Sequence, residues 1–554
     1  IVIFLISLIL PRFTAIERPI TVDELTWLTF SADFYYGLGQ RDWAHTYQDH
    51  HPGVTTMLAG TAAYLIELPE YRGQAQGYME NDTFKLIDFL DRNGVAMFDV
   101  LITARRIMAV GCIAALLLSM GVLWKTFGAF PAFVGMMFVA LDPMTIGQDR
   151  LYSHEGLMST LVLLTWVSFF YYLKKGKKPL PLVFSGVVMG IAALTKVTAL
   201  GMLPVIGLAW LLDFWQSRRA AKGFAQPFWK DLLKRLTPML VWALVGMLVF
   251  VAVWPAMWDD PVGQIAHLIR HTSGFSGNEN AGVGVLLPTI RDFARVGDYL
   301  GSIWSHTTLI TWTGVFLLLF AIVWRKRFDT DRNLVSFAGY LLLYGLVVLL
   351  VVGLFVRTIL GVRYMSSVHV VLALLAGFGV AAVLTWAVQR FSLLERRKWL
   401  VGVVVGGLLV LQVITFLPAR PYYYTYNQPF RTTPWWGTHG AFLDQAADYL
   451  AAKPNAAELT VMTPSPGSFM FFFPGETKFL VPEPGWRDVD AERLANSDYL
   501  IVDFTTRTKP NAPRVVTDIA EVIPEHTISF QGRELVWIYK VSDLPPEAFV
   551  PDSN

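Results

Sequence analysis

The chain is built from long apolar runs separated by polar stretches. Eleven runs stand out, at 1–16, 101–123, 129–147, 156–173, 180–195, 197–215, 237–256, 304–324, 333–355, 366–388 and 399–417. A helix needs about 20 mostly apolar residues to cross a bilayer. The pattern therefore predicts a mainly α, polytopic transmembrane bundle of about 11 helices. The fifth and sixth runs nearly touch at Thr195-Lys196. After Leu417 the pattern changes to that of a soluble domain. Residues 441–452 have helical periodicity, and 458–462, 499–503 and 534–540 read as strands. These predict a membrane domain over 1–417 and a small α/β domain over 418–554, with no internal repeat.

The charges between the runs orient the bundle. Basic clusters occur at Lys174-Lys-Gly-Lys-Lys178, Arg218 to Arg235, Arg325-Lys-Arg327 and Glu395-Arg-Arg-Lys398. With eleven spans all four fall on one side, together with Lys125, and the positive-inside rule makes that side cytoplasmic. The first loop, 18–99, and everything after Leu417 then lie outside the cytoplasm. The first loop carries an amphipathic stretch at 84–91 that suits a helix in the interface plane. A second external segment runs from 257 to 303, with a helical piece at 262–271 and a glycine-rich stretch, 274–282, that reads as a mobile loop or lid.

Composition narrows the class. Of 554 residues, 54% are hydrophobic and 16% charged, against about 25% charged in soluble domains. The mean hydropathy is +0.46. A net charge of +2 argues against nucleic acid as a partner. With Cys112 as the only cysteine, no intramolecular disulfide can form. The first run lacks the small-residue cleavage signature of a signal peptide and reads as a retained helix.

Candidate chemistry lies in polar residues that map to the outer ends of the helices. Asp23 and Glu24 follow the first run, and Arg105-Arg106 opens the second. Asp142-Pro143, Arg150, His154 and Glu155 lie in the turn between the third and fourth. Lys196 sits between the fifth and sixth, and Arg363-Tyr364 precedes the tenth. Carboxylates and outer-face cations beside hydrocarbon call for a cavity or a reaction, although any single one also suits a helix cap or an interfacial anchor. The set suits transfer from a lipid phosphate. A phosphate leaves as an anion, so it needs fixed cations and no general acid. The acceptor hydroxyl needs a base, which a positioned carboxylate supplies. Of the adjacent acids, one can be the base while the other orients the acceptor or holds a metal.

In their order, Asp23-Glu24, His51-Pro-Gly53, Asp142-Pro143, Arg150, Glu155, Leu194-Thr-Lys196 and Arg363-Tyr364 resemble the GT-C superfamily of membrane glycosyltransferases. The likeness is to the branch holding protein O-mannosyltransferases and lipid A aminoarabinose transferases, and it covers roughly the first 390 residues. The resemblance implies a glycosyltransferase of the cell (plasma) membrane. Its donor would be a polyprenyl-phosphate sugar and its acceptor an extracytoplasmic hydroxyl on a protein, lipid or glycan. Asp23 would be the base of an inverting transfer, with Glu24 beside it. Arg150 and Lys196 would bind the donor phosphate, followed by Arg105, Arg363 and Tyr364. His51, Glu155 and Asp142 would shape the acceptor side. Glu155 stands where relatives usually have aspartate. Pro421-Tyr-Tyr-Tyr-Thr-Tyr-Asn-Gln-Pro429 also resembles a stretch of family members, with Gln428 inserted.

Family members differ in their use of a divalent ion. Glu24, His50, His51, His154 and Glu155 are candidate ligands here. His267 and His271 are spaced i, i+4, which puts them on one helix face, but without a third ligand they read as part of an interfacial helix. Trp435-Trp436 and Phe471-Phe-Phe473 read as belt or core residues before a sugar platform. The alternative function is a transporter or flippase of a lipid-linked saccharide, which would need the cations and not Asp23. It should show an internal repeat and polar residues near mid-membrane, and the sequence has neither.

Overall fold

The computed structural model describes residues 2–74, 77–220, 227–275, 290–328, 331–356, 361–430, 440–480, 486–508 and 512–551. Most of the glycine-rich stretch and Trp435-Trp436 lie outside them. The chain forms two compact units. One comprises Ile1–Thr14 and Trp27–Thr433, the other Ala15–Thr26 and Pro434–Asn554. The composition change after Leu417 thus precedes the division between units.

The helices from the start of the chain are α1 (Val2–Phe13), α2 (Val22–Gln40), α3 (Val54–Glu67), α4 (Thr83–Arg92), α5 (Met97–Phe127), α6 (Ala129–Ala140), α7 (Pro143–Asp149), α8 (His154–Lys174), α9 (Pro179–Thr195) and α10 (Leu203–Ala220). They continue with α11 (Phe228–Val253), α12 (Ala256–Asp259), α13 (Pro261–Phe275), α14 (Ile290–His306), α15 (Leu309–Val323), α16 (Arg325–Phe328), α17 (Arg332–Phe355), α18 (Ser366–Arg390), α19 (Ser392–Arg396) and α20 (Trp399–Phe416). Every apolar run of the sequence is helical. Among the described residues seven helices are long and apolar enough to cross a membrane, or nine if two bent pairs each count as one span. The first and fifth runs, α1 and α9, form shorter helices of 12 and 17 residues.

The two bent pairs have a local cause and a shared repair. α6 and α7 meet at 67°. Pro143 cannot continue a helix, and Asp142 caps α7 by accepting from Thr145 N at 2.9 Å and Thr145 Oγ1 at 2.8 Å. α14 and α15 meet at 108°, where Thr308 Oγ1 accepts from Thr311 N at 3.1 Å. A break at membrane depth leaves backbone groups that must find partners inside the protein. Fully buried Gln412 of α20 reaches both breaks, pairing a backbone carbonyl at the first and the capping hydroxyl at the second. Its amide donates to Leu141 O at 3.2 Å and its carbonyl accepts from Thr308 Oγ1 at 2.6 Å.

Glycines bring the central helices into backbone contact, as small residues do in membranes. A Cβ on Gly377 of α18 would stand 2.5 Å from Gly135 Cα of α6, and one on Gly379 would stand 2.0 Å from Gly314 O of α15. After α20 the 421–429 stretch packs on α7. Tyr424 N lies 2.5 Å from where a Cβ on Gly147 would be, and Gln428 N donates to Ser305 O at 2.8 Å.

The second unit holds a five-stranded sheet in the order β2-β1-β3-β5-β4. The strands are β1 (Thr460–Thr463), β2 (Glu476–Phe479), β3 (Tyr499–Asp503), β4 (His526–Phe530) and β5 (Arg533–Lys540). β1 runs parallel to β2 and β3, and β5 antiparallel to β3 and β4. The three strands and the helix (Leu443–Ala451) read from the sequence are present. Phe473 is buried against Phe469, with ring centroids 5.1 Å apart, so it belongs to the packing.

Candidate active site

In the first unit, five elements converge on a buried polar cluster. The chain leaves α9 at Lys196 with extended backbone. Its ammonium then turns back onto α8, where it donates to Glu155 Oε1. Lys196 is 1% exposed and Glu155 2%. The Tyr364 ring, in the 3-10 turn Val362–Met365, lies 4.6 Å from Lys196 Nζ, a cation–π contact. The Arg363 guanidinium lies 5.7 Å from the same ring. His154 Nε2 approaches Glu155 Oε1 at 3.6 Å.

His51 joins this cluster from the loop before α3. Its ring centroid is 5.2 Å from that of His154 and 4.1 Å from that of His50. Gly53 ends the loop with φ +58°, in the left-handed region, and a Cβ there would meet the Trp27 ring at 2.2 Å. Trp27 in turn stacks edge-on against His154 at 5.1 Å. His51-Pro-Gly53 is therefore a turn folded around Trp27. Burial, and then the Lys196 cation, hold His51 well below its ordinary pKa. Two buried atoms of the cluster, Glu155 Oε2 and His154 Nδ1, have no hydrogen-bond partner among the described residues.

An apolar cavity of about 500 Å³ lies between α9, α11 and α13. Val197, Trp242, Phe250 and Thr272 are among its walls. Val197 follows Lys196 in the chain, and Thr272 Oγ1 donates to His50 O at 2.7 Å.

The other expected residues are placed differently. Arg150 is 2% exposed. Its guanidinium donates to Thr14 O at 2.9 Å and Pro421 O at 3.3 Å and faces the Tyr423 ring. Arg105 is fully buried in α5. Asp142 is the cap of α7 described above. Asp23 and Glu24 start α2, in the part of that helix assigned to the second unit. Glu24 is fully buried and accepts from Thr21 N at 2.8 Å and Thr21 Oγ1 at 2.9 Å. The bond from Thr21 N is one half of a T-x-x-E capping box, the acid reaching back to the backbone ahead of the helix, and the Thr21 hydroxyl donates to the same oxygen. Asp23 is half-buried.

No three His, Cys, Asp or Glu side chains come together as metal ligands among the described residues. Glu155 Oε1 faces a lysine, and His267 and His271 pack about the Tyr47 ring, with Tyr47 Oη 3.2 Å from His271 Nδ1. The candidate ligand set does not fit a metal.

One buried ion pair escaped the sequence reading. Arg12 of α1 donates to Asp149 Oδ2 at 2.8 Å, with both side chains inaccessible. An arginine inside the first apolar run was the available signal.

No family model matches the sequence, and no curated protein matches it. Solved structures do. The chain is similar to ArnT from Cupriavidus metallidurans bound to undecaprenyl phosphate, with a TM-score of 0.50 and 13% identity, covering 98% of this chain and 99% of that one. The apo structure of the same ArnT gives 0.48 and 14%, with 98% of each chain covered. The oligosaccharyltransferase AglB from Archaeoglobus fulgidus, in complex with an inhibitory peptide and a dolichol-phosphate, gives 0.45 and 11%, covering 93% of this chain and 71% of that one. The ArnT match shows that this chain shares the fold of that protein.

Proposed function

We propose that this chain is an integral membrane glycosyltransferase. It moves a sugar from a polyprenyl-phosphate donor to an extracytoplasmic hydroxyl with inversion. The observation that carries the reading is Lys196. It is a buried cation one residue from the wall of an apolar cavity. The chain around it shares its fold, over almost its whole length, with a protein whose structure holds undecaprenyl phosphate.

The cavity has the apolar lining a prenyl chain needs, and Lys196 and Arg363 supply the charge-assisted hydrogen bonds that hold a phosphate. Tyr364 keeps the Lys196 ammonium in place. Glu155 Oε2, buried and without a hydrogen-bond partner among the described residues, accepts from a sugar hydroxyl. Asp23 takes the acceptor proton while the acceptor oxygen bonds to the anomeric carbon. The bond from that carbon to the phosphate oxygen breaks, and the lipid phosphate leaves as an anion that Lys196 and Arg363 stabilise. Glu24 closes the first turn of α2 beside the base, and Arg150 holds the backbone at Thr14 and Pro421. The site faces away from the cytoplasm, and the membrane is the plasma membrane.

The test is release of polyprenyl phosphate from polyprenyl-phosphate sugars by the purified protein, with a membrane extract as acceptor source and Asp23→Asn alongside. Release by wild type alone supports the transferase and the base. Movement of intact donor across a vesicle membrane without release would replace the reading by a transporter.

A further inference from the structure

Residues 15–26 form one compact unit with 434–554, and the contacts grip this segment on both sides of Asp23. Before it, the Arg18 guanidinium forks onto Asp448. Its Nη2 donates to Oδ1 at 2.8 Å and its Nη1 to Oδ2. Nη1 also lies 3.6 Å from Oδ2 of Asp444, which is fully buried. Asp444 and Asp448 are spaced i, i+4 on the helix Leu443–Ala451, so both carboxylates face the arginine from one side. The same guanidinium lies 4.4 Å from the Phe472 ring centroid. Ile20 O stands 3.0 Å from where a Cβ on Gly440 would be. After the acids, Leu25 Cδ1 stands 2.4 Å from where a Cβ on Gly467 would be. Between these grips, Glu24 closes the turn onto Thr21.

We propose that the C-terminal domain is the platform that fixes the first turn of α2, and that Arg18 is a positioning residue for Asp23. The inference rests on the reading of Asp23 as base. An exposed ion pair contributes little stability by itself. A bidentate fork that is also stacked on an aromatic ring fixes geometry, and geometry is what a base requires.

The experiment uses the full-length chain. Hydrogen exchange is read on peptides covering 15–26, and kcat and KM are read from the release assay. The variants are Arg18→Ala, the swap Arg18→Asp with Asp448→Arg, and Asp23→Asn. Arg18→Ala should speed exchange in 15–26 and leave α8 and α18 unchanged. It should lower kcat about 10- to 100-fold, the usual cost of a small misplacement, with little change in donor KM. The swap should restore much of both. Unchanged exchange in 15–26 overturns the anchoring. Faster exchange with unchanged kcat overturns the positioning role. If Asp23→Asn turns over like wild type, the reading of the base fails, and exchange alone decides whether the domain anchors the segment. Should Arg18→Ala not fold, Asp448→Asn trims a half-exposed partner and carries the same expectations.

Discussion

Lys196 donates to Glu155 Oε1 in a pair whose side chains are 1% and 2% exposed. Two charges taken out of water stabilise little as a pair, but removing one partner leaves the other buried and uncompensated, at about 3–5 kcal/mol. Lys196→Met should therefore lower the unfolding midpoint in detergent markedly. Lys196→Met combined with Glu155→Met should recover most of that loss while remaining inactive, because under the proposed function neither the phosphate cation nor the hydroxyl acceptor is restored. Thermal denaturation of the three proteins checks the first part and polyprenyl phosphate release the second. A double variant as unstable as the single one would refute the ion-pair account.

Gly53 and Trp27 give the site a steric test. Gly53→Ala puts a methyl group in a left-handed residue and 2.2 Å from the Trp27 ring. The backbone part costs about 1–2 kcal/mol, and the clash adds to it by displacing the ring that packs on His154. Trp27→Leu costs buried packing of its own, but it removes the clash, so Gly53→Ala should cost less in a Trp27→Leu background than in the wild type. Thermal midpoints of the single and double variants decide it.

The apolar runs made the helices legible because a membrane imposes one strong demand on sequence, a long apolar segment. The run at 129–147 concealed a break because Asp142-Pro143 ends a helix through local chemistry that average hydrophobicity does not register. Gln412 was illegible for a different reason. Its partners, Leu141 and Thr308, are more than 100 residues away. In the cluster around Lys196, the residues read from the sequence lie at helix ends or in the short segments that lead into helices, so order along the chain translates into proximity once the helices are bundled. Arg150 matched the same order, yet its described hydrogen bonds go to the carbonyls of Thr14 and Pro421, which no pattern of residue types announces. β2 and β4 were missed because edge strands of four and five residues, partly exposed, carry little alternation.

Gly379 and Gly402 are both helical glycines, and the structure separates them. A Cβ on Gly379 would stand 2.0 Å from the backbone oxygen of Gly314, whereas nothing lies within 4 Å of one on Gly402. Gly379→Ala must push α18 off α15, and should destabilise by about 1–3 kcal/mol as overpacking does. Gly402→Ala should be neutral or stabilise by up to about 1 kcal/mol through helix propensity. Opposite signs in the shift of the unfolding midpoint would confirm the close approach. Equal effects would contradict it.

Glu525 makes the second unit sensitive to acid. Burial would raise its pKa, but hydrogen bonds from Lys453, Tyr449 and Lys540 outweigh that and bring it to about 2, from 4.5. Lys453 Nζ lies at 2.6 Å, Tyr449 Oη at 2.8 Å, Lys540 Nζ at 3.1 Å and Tyr499 Oη at 3.2 Å. A carboxylate with a lowered folded pKa adds stability that is present in full above its unfolded pKa, and that is lost as the pH falls through the folded one. The loss should therefore run from about pH 5 down to about pH 2. At 1.36 kcal/mol per unit, solvent screening leaves about 1–2 kcal/mol of it. Hydrogen exchange in peptides spanning β4 and β5 checks this, with wild type and Glu525→Gln compared at each pH so that the intrinsic pH dependence of exchange cancels. Glu525→Gln should exchange faster at pH 7, and the difference should close toward pH 2–3. A difference that stays constant across that range would mean the carboxylate's charge contributes nothing to holding the strands.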